Sequence, residues 1–118
     1  MAAAAHRPHF DAAPEAVRLR LEAVAERIAE AVPGAQACER YRMPAFRSGK
    51  AVIHFAAFKH HIGMYPPVAE PAGLVERLAR WRGPKGNLAF PHGEPLPLEL
   101  IGEAAAAIAR HYQSQGEK

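Results

Sequence analysis

A single cysteine, Cys38, among 118 residues excludes an intramolecular disulfide, and that usage fits a reducing compartment. No apolar stretch approaches the roughly 20 residues of a membrane span. The alanines at 2–5, followed by His6 and Arg7, are too short a run for a signal peptide. The cytoplasm is therefore the expected location, with no membrane partner. Charge of one sign never accumulates: 15 Lys and Arg stand against 12 Asp and Glu, a net charge of +3 with no run of five like charges. Charges scattered in this way point to no nucleic-acid partner. Catalytic signatures are missing as well. The chain has no Gly-rich phosphate loop, no His-Glu-x-x-His helix, no Gly-x-Ser-x-Gly elbow and no paired-cysteine zinc framework. Cys38 has Glu39 beside it, the wrong charge to activate a thiol. A non-enzymatic protein is expected.

What is present is ordinary for a globular chain. Hydrophobic residues make up 49% and charged residues 23%, and the length suits one core. Residues 1–10 read as a tail, 11–113 as a single domain and 114–118 as a second tail. Asp11 can cap a first helix, with Pro14 in its first turn. Across 15–32 the residues Val17, Leu21, Val24, Ile28 and Val32 recur at helical spacing until Pro33-Gly34. Short extended segments follow at 37–41 and 45–47. Ser48-Gly49-Lys50 is a turn signal, 51–58 is rich in β-formers, and 61–65 continues the meander until Pro66-Pro67. A helix over 72–81, a strand over 86–90 and a closing helix over 98–113 complete the order. The expected class is α+β: an N-terminal helix, an antiparallel β-meander, a helix, a further strand and a C-terminal helix, with the helices packed on one sheet.

One strand carries a chemical suggestion. In His61-Ile62-Gly63-Met64-Tyr65 the alternation of side chains puts His61 and Tyr65 on one face across Gly63, with Ile62 and Met64 turned to the core. A glycine there leaves room for a ligand or another backbone. With Lys59 at the preceding turn, and with Tyr41 and Lys85, the set Tyr41, Lys59, His61, Tyr65 and Lys85 could form a pocket for a small anionic ligand. His61 could serve it as a general base. The alternative is a packed His and Tyr hydrogen-bonded to loops. A third reading is an interaction module that uses the sheet face, as in a homodimer. His6-x-x-His9 and His60-His61 lack a third ligand at a diagnostic metal spacing.

Three motifs carry a family resemblance. They are Tyr41-Arg42-Met43-Pro44-Ala45-Phe46, the run from Phe55 through Phe58-Lys59-His60-His61-Ile62-Gly63-Met64-Tyr65-Pro66, and Lys85-Gly86-Asn87-Leu88-Ala89-Phe90-Pro91. Together they resemble the YdhG-like family over nearly the whole chain, about 14–112. Many members have Gly where this chain has Arg42 and Asn where it has His60. The resemblance implies the fold above. Some members are frataxin-like intracellular iron chaperones that supply iron–sulfur assembly proteins, which implies iron as cargo. The carried-over ligands would be carboxylates of the first helix, here Glu15, Glu22, Glu26 and Glu30. Hard oxygen donors on an open helix face suit labile iron, whereas Arg18, Arg20 and Arg27 beside them oppose a strong cation site.

Overall fold

Two-residue turns and proline stops set the architecture. The computed structural model describes residues 3–116. Five strands, β1 (Gln36–Arg40), β2 (Met43–Ser48), β3 (Ala51–Ala57), β4 (His61–Tyr65) and β5 (Leu88–Pro91), form one antiparallel sheet in sequential order. Tyr41 and Arg42 turn the chain between β1 and β2, and Gly49-Lys50 does so between β2 and β3. Ala45 pairs with His54, His54 with Tyr65, and Gly63 with Ala89, so these residues share one side of the pleat. That side is the outer face. The inner face presents Phe46, Ile53, Phe55, Ile62, Met64, Leu88 and Phe90, all buried.

The helices are α1 (Arg7–Asp11), α2 (Glu15–Ala31), α3 (Ala72–Arg77) and α4 (Leu98–Gly116). Leu21, Val24 and Ile28 of α2 and Ile101, Ala105 and Ile108 of α4 join the inner-face residues in one core. Full burial of each large apolar side chain stabilises the fold by about 1.5–3 kcal/mol. Gly102 lets α2 come close to α4, since a Cβ there would lie 3.1 Å from Arg27 Cδ and 3.7 Å from Ala31 Cβ. Among the described residues no helix is long and apolar enough to cross a membrane.

The expected order of elements is the observed one, with corrections at the ends. Residues 6–10 are not a tail: His6 and Phe10 are each 1% exposed. The short α1 presents Phe10 to the inner face, where its ring lies 6.2 Å from that of Phe55. Asp11 ends α1 instead of capping α2, and Pro14 holds the N-cap position of α2. The closing helix runs through Gly116, because no proline or left-handed residue stops it after 113. Residues 3–5 lead into α1, the Ala3 carbonyl accepting from the His6 and Arg7 amides at 2.9 and 3.1 Å, and residues 1–2 and 117–118 of the expected tails lie outside the described residues. The helix expected over 72–81 breaks at Leu78, and Ala79–Trp81 form a tighter 3-10 turn before Gly83-Pro84.

Candidate functional site

A cleft of about 510 Å³ opens where the α1–α2 connection meets the ends of the two hairpins. Its walls are largely apolar, from Ala13, Val17 and Leu21 on one side and Pro44, Ala57 and Phe58 on the other. Four nitrogen-bearing side chains also line it: His9, Arg42, Lys59 and His92. His92 braces the turn that carries Phe58 and Lys59. Its Nε2–H donates to the Phe58 carbonyl at 2.7 Å, and its amide donates to the His60 carbonyl at 3.0 Å. In that tautomer Nδ1 is a lone-pair acceptor, and it is buried without a partner among the described residues. Glu39 is the carboxylate held beside this region, bound to His9 Nε2 at 2.6 Å.

Arg42 reaches the cleft at a conformational cost. The β1–β2 turn puts Tyr41 at φ +53° and Arg42 at φ +61°, the left-handed region that glycine enters freely. For a residue with a Cβ it costs about 1–2 kcal/mol. A long cation therefore stands where a glycine would relax the turn.

The five residues expected to form a pocket are distributed over three places. Lys59 lines the cleft. Tyr41, Tyr65 and His61 belong to a row of rings on the outer sheet face. Tyr41 meets His54 edge-on at 5.6 Å, His54 stacks on Tyr65 at 5.2 Å, and Phe58 packs on His61 at 5.2 Å. Gly63 joins the two parts of the row. A Cβ there would meet Tyr65 Oη at 2.7 Å and Phe58 Cε2 at 3.1 Å, so those rings fill the space above the glycine. Lys85 stands near the Tyr65 end of β4 and Lys59 near the His61 end, separated by the length of that strand. Arg42, His92, His9 and His54 were not anticipated as site residues. The available signal was Arg42 itself, standing where the family resemblance has glycine. Burial, and then the Arg40 charge, hold the His54 pKa below its ordinary value, so this ring is neutral at neutral pH.

The sequence matches no protein-family model and no curated protein. Among solved structures it is similar to a DUF1801-family protein from Bacillus subtilis, YdhG, with a TM-score of 0.77 at 16% identity. The match covers 96% of this chain and 92% of that one. The fold is YdhG-like. At this identity the likeness concerns architecture, and the site has to be read from this chain's own residues.

Within the YdhG-like fold the carboxylates of α2 do not form one site. Glu22 and Glu26 border a small cleft of about 150 Å³ beside His6. Glu30 pairs with Arg27 at 3.5 Å, and Glu15 is exposed in the first turn of the helix. Among the described residues no three His, Cys, Asp or Glu side chains converge as a metal site would require.

Proposed function

We propose that this is a non-enzymatic binding protein of the cytoplasm whose cleft takes a small organic anion with an apolar body. The observation that carries the reading is Arg42, held in a left-handed conformation at the edge of an apolar cleft that Lys59 also lines. The strain is retained where a glycine would remove it, and strain kept in this way marks functional positions. Apolar walls with a few placed polar groups are the usual make-up of a small-molecule site. An arginine offers a carboxylate a planar, bidentate partner, and Lys59 adds a second charge. The reading keeps the anionic ligand expected from the sequence and moves its centre from His61 and Tyr65 to Arg42 and Lys59. Calorimetric titration with octanoate and with neutral octanamide tests it. Saturable binding of the carboxylate, weakened about tenfold or more in Arg42→Gly, is expected from loss of one charge-assisted contact. Equal binding of acid and amide, or unchanged affinity in the variant, would overturn it.

Iron handling, with iron–sulfur assembly proteins as partners, is the second reading. Its support is the family resemblance together with four glutamates on one helix. Anaerobic titration with ferrous iron tests this reading. Saturable binding lost when Glu22, Glu26 and Glu30 become Ala is its expected result, and binding that ignores those changes removes it.

A further inference from the structure

The positive charge that looks scattered in sequence is sorted by the pleat. The outer sheet face carries Arg40 on β1 and Arg47 on β2, and the register places no Asp or Glu on that face among the described residues. The turns at its ends, Tyr41-Arg42, Gly49-Lys50 and 58–60, contain no carboxylate either. Glu39, the acidic residue within the strands, points to the inner side, where His9 holds it. Three cations of the helical layer and its loops are paired with carboxylates: Arg27 with Glu30, Arg77 with Glu103, Arg80 with Glu94. Arg40 and Arg47 are exposed and enter no ion pair among the described residues.

The same face carries the ring row. Its two ends are exposed, Tyr41 at 70% and Phe58 at 44%, and His54, Tyr65 and His61 lie half-buried between them. The Arg40 guanidinium already lies over the Tyr41 ring, 5.1 Å from its centre. Flat rings on a sheet, edged by arginines and free of carboxylates, combine the two elements that hold unpaired nucleotides: a stacking platform and charge along the backbone.

We infer that the outer face of the sheet binds single-stranded nucleic acid, with bases stacking on the Tyr41–Phe58 ring row and phosphates meeting Arg40 and Arg47. An acidic peptide would use the arginines and leave the rings without planar partners. A second copy of the chain would set this positively charged, carboxylate-free face against its own copy, which like charges disfavour. A polyanion that itself carries rings satisfies both features. This surface meets the anion cleft at Phe58, which borders both, but its charges are Arg40 and Arg47 and not Arg42.

Fluorescence anisotropy with labelled oligo-dT and oligo-U of about twelve nucleotides, within the site sizes of single-strand binders, tests the inference. Binding that weakens about sevenfold between about 50 and 200 mM salt is expected from two phosphate contacts. Tyr41→Asn removes the exposed ring with a residue that tolerates the left-handed turn, and an affinity loss of about tenfold is expected from one lost stack. Arg40→Ala with Arg47→Ala should flatten the salt dependence, lowering the slope of log K against log salt by about 1.4 for two lost phosphate contacts. Arg77→Ala, on the helical layer, should leave oligonucleotide binding unchanged. No binding at low salt overturns the inference. So do affinities untouched by Tyr41→Asn and by the double variant in correctly folded protein, as shown by amide NMR spectra. Equally tight binding of poly-glutamate assigns the face to an acidic peptide. A dimer in light scattering that Arg47→Ala alters assigns it to a second copy. Either result overturns the nucleic-acid assignment.

Discussion

The His6 imidazole donates from Nε2 to the carbonyl oxygen of Ala45, 39 residues along the chain, at 2.8 Å. The bond ties the start of α1 to the centre of β2, and the ring packs edge-on against Phe46 and Phe55 at 5.0 and 5.7 Å. Burial, which outweighs the backbone hydrogen bonds, holds the His6 pKa below its ordinary value, and His9 pushes in the same direction. The folded state therefore binds fewer protons than the unfolded state below an imidazole's usual value of about 6.5. The stability contributed is complete above about pH 6.5 and declines as pH falls from there through the lower folded value. His54, also depressed, acts with the same sign. Urea midpoints should hold steady from about pH 8 to 7 and drop towards pH 5. His6→Gln should lose the larger part of that dependence. An unchanged pH profile in His6→Gln would refute the assignment.

Arg42→Gly should separate stability from binding. Relief of the left-handed strain is partly offset by the greater freedom of glycine in the unfolded chain, leaving a gain of about 0.5–1 kcal/mol. The same change removes the cleft's guanidinium, so urea denaturation should show a more stable protein while carboxylate affinity falls. A less stable Arg42→Gly protein would mean that the arginine makes contacts that outweigh the strain.

These two residues show what was legible in the sequence and what was not. Strand alternation correctly put His61 and Tyr65 on one face with Ile62 and Met64 in the core, because a period of two needs no tertiary information. The turns were announced by Ser48-Gly49-Lys50 and by prolines. α1 went unread because five residues are too few to display helical period, and His6 is recruited by a carbonyl far along the chain. The space above Gly63 was read as room for a ligand, but spacing does not say which neighbouring ring leans over a glycine. Tyr65, on the same strand, does so. Charge sorting was hidden for a related reason. A list of charges records no faces, and Glu39 and Arg40, adjacent in sequence, end on opposite sides of the sheet.

Gly63→Ala should disturb the ring row directly. The added methyl would fall 2.7 Å from Tyr65 Oη and 3.1 Å from Phe58 Cε2, so both rings must move and Tyr65 must shift from its stack on His54. Overpacking of this kind costs about 1–2 kcal/mol. Chemical denaturation should report that loss, and the ring-proton NMR shifts of Tyr65, His54 and Phe58 should change together. Rings that keep their shifts would place the row elsewhere.

Removal of residues 1–10 provides the sharpest test of α1. A dispensable tail would leave the melting curve unchanged. The structure instead places the whole Phe10 side chain in the core, within 6.2 Å of Phe55, with the His6 ring between Phe10 and the sheet at 5.5 Å from Phe10. Loss of a buried phenylalanine alone costs about 3–5 kcal/mol. Domains hold only about 5–15 kcal/mol in total. The deletion also exposes Phe46 and Phe55 and leaves the Ala45 carbonyl without its donor, a further cost of about 1–3 kcal/mol. Truncated protein should therefore melt far below the full chain or fail to fold. Phe10→Ala gives the graded version, folded but less stable by the single-residue amount. A truncated chain as stable as the full one would show that α1 adds nothing to the core, and the His6–Ala45 bond would then carry no stability for pH to remove.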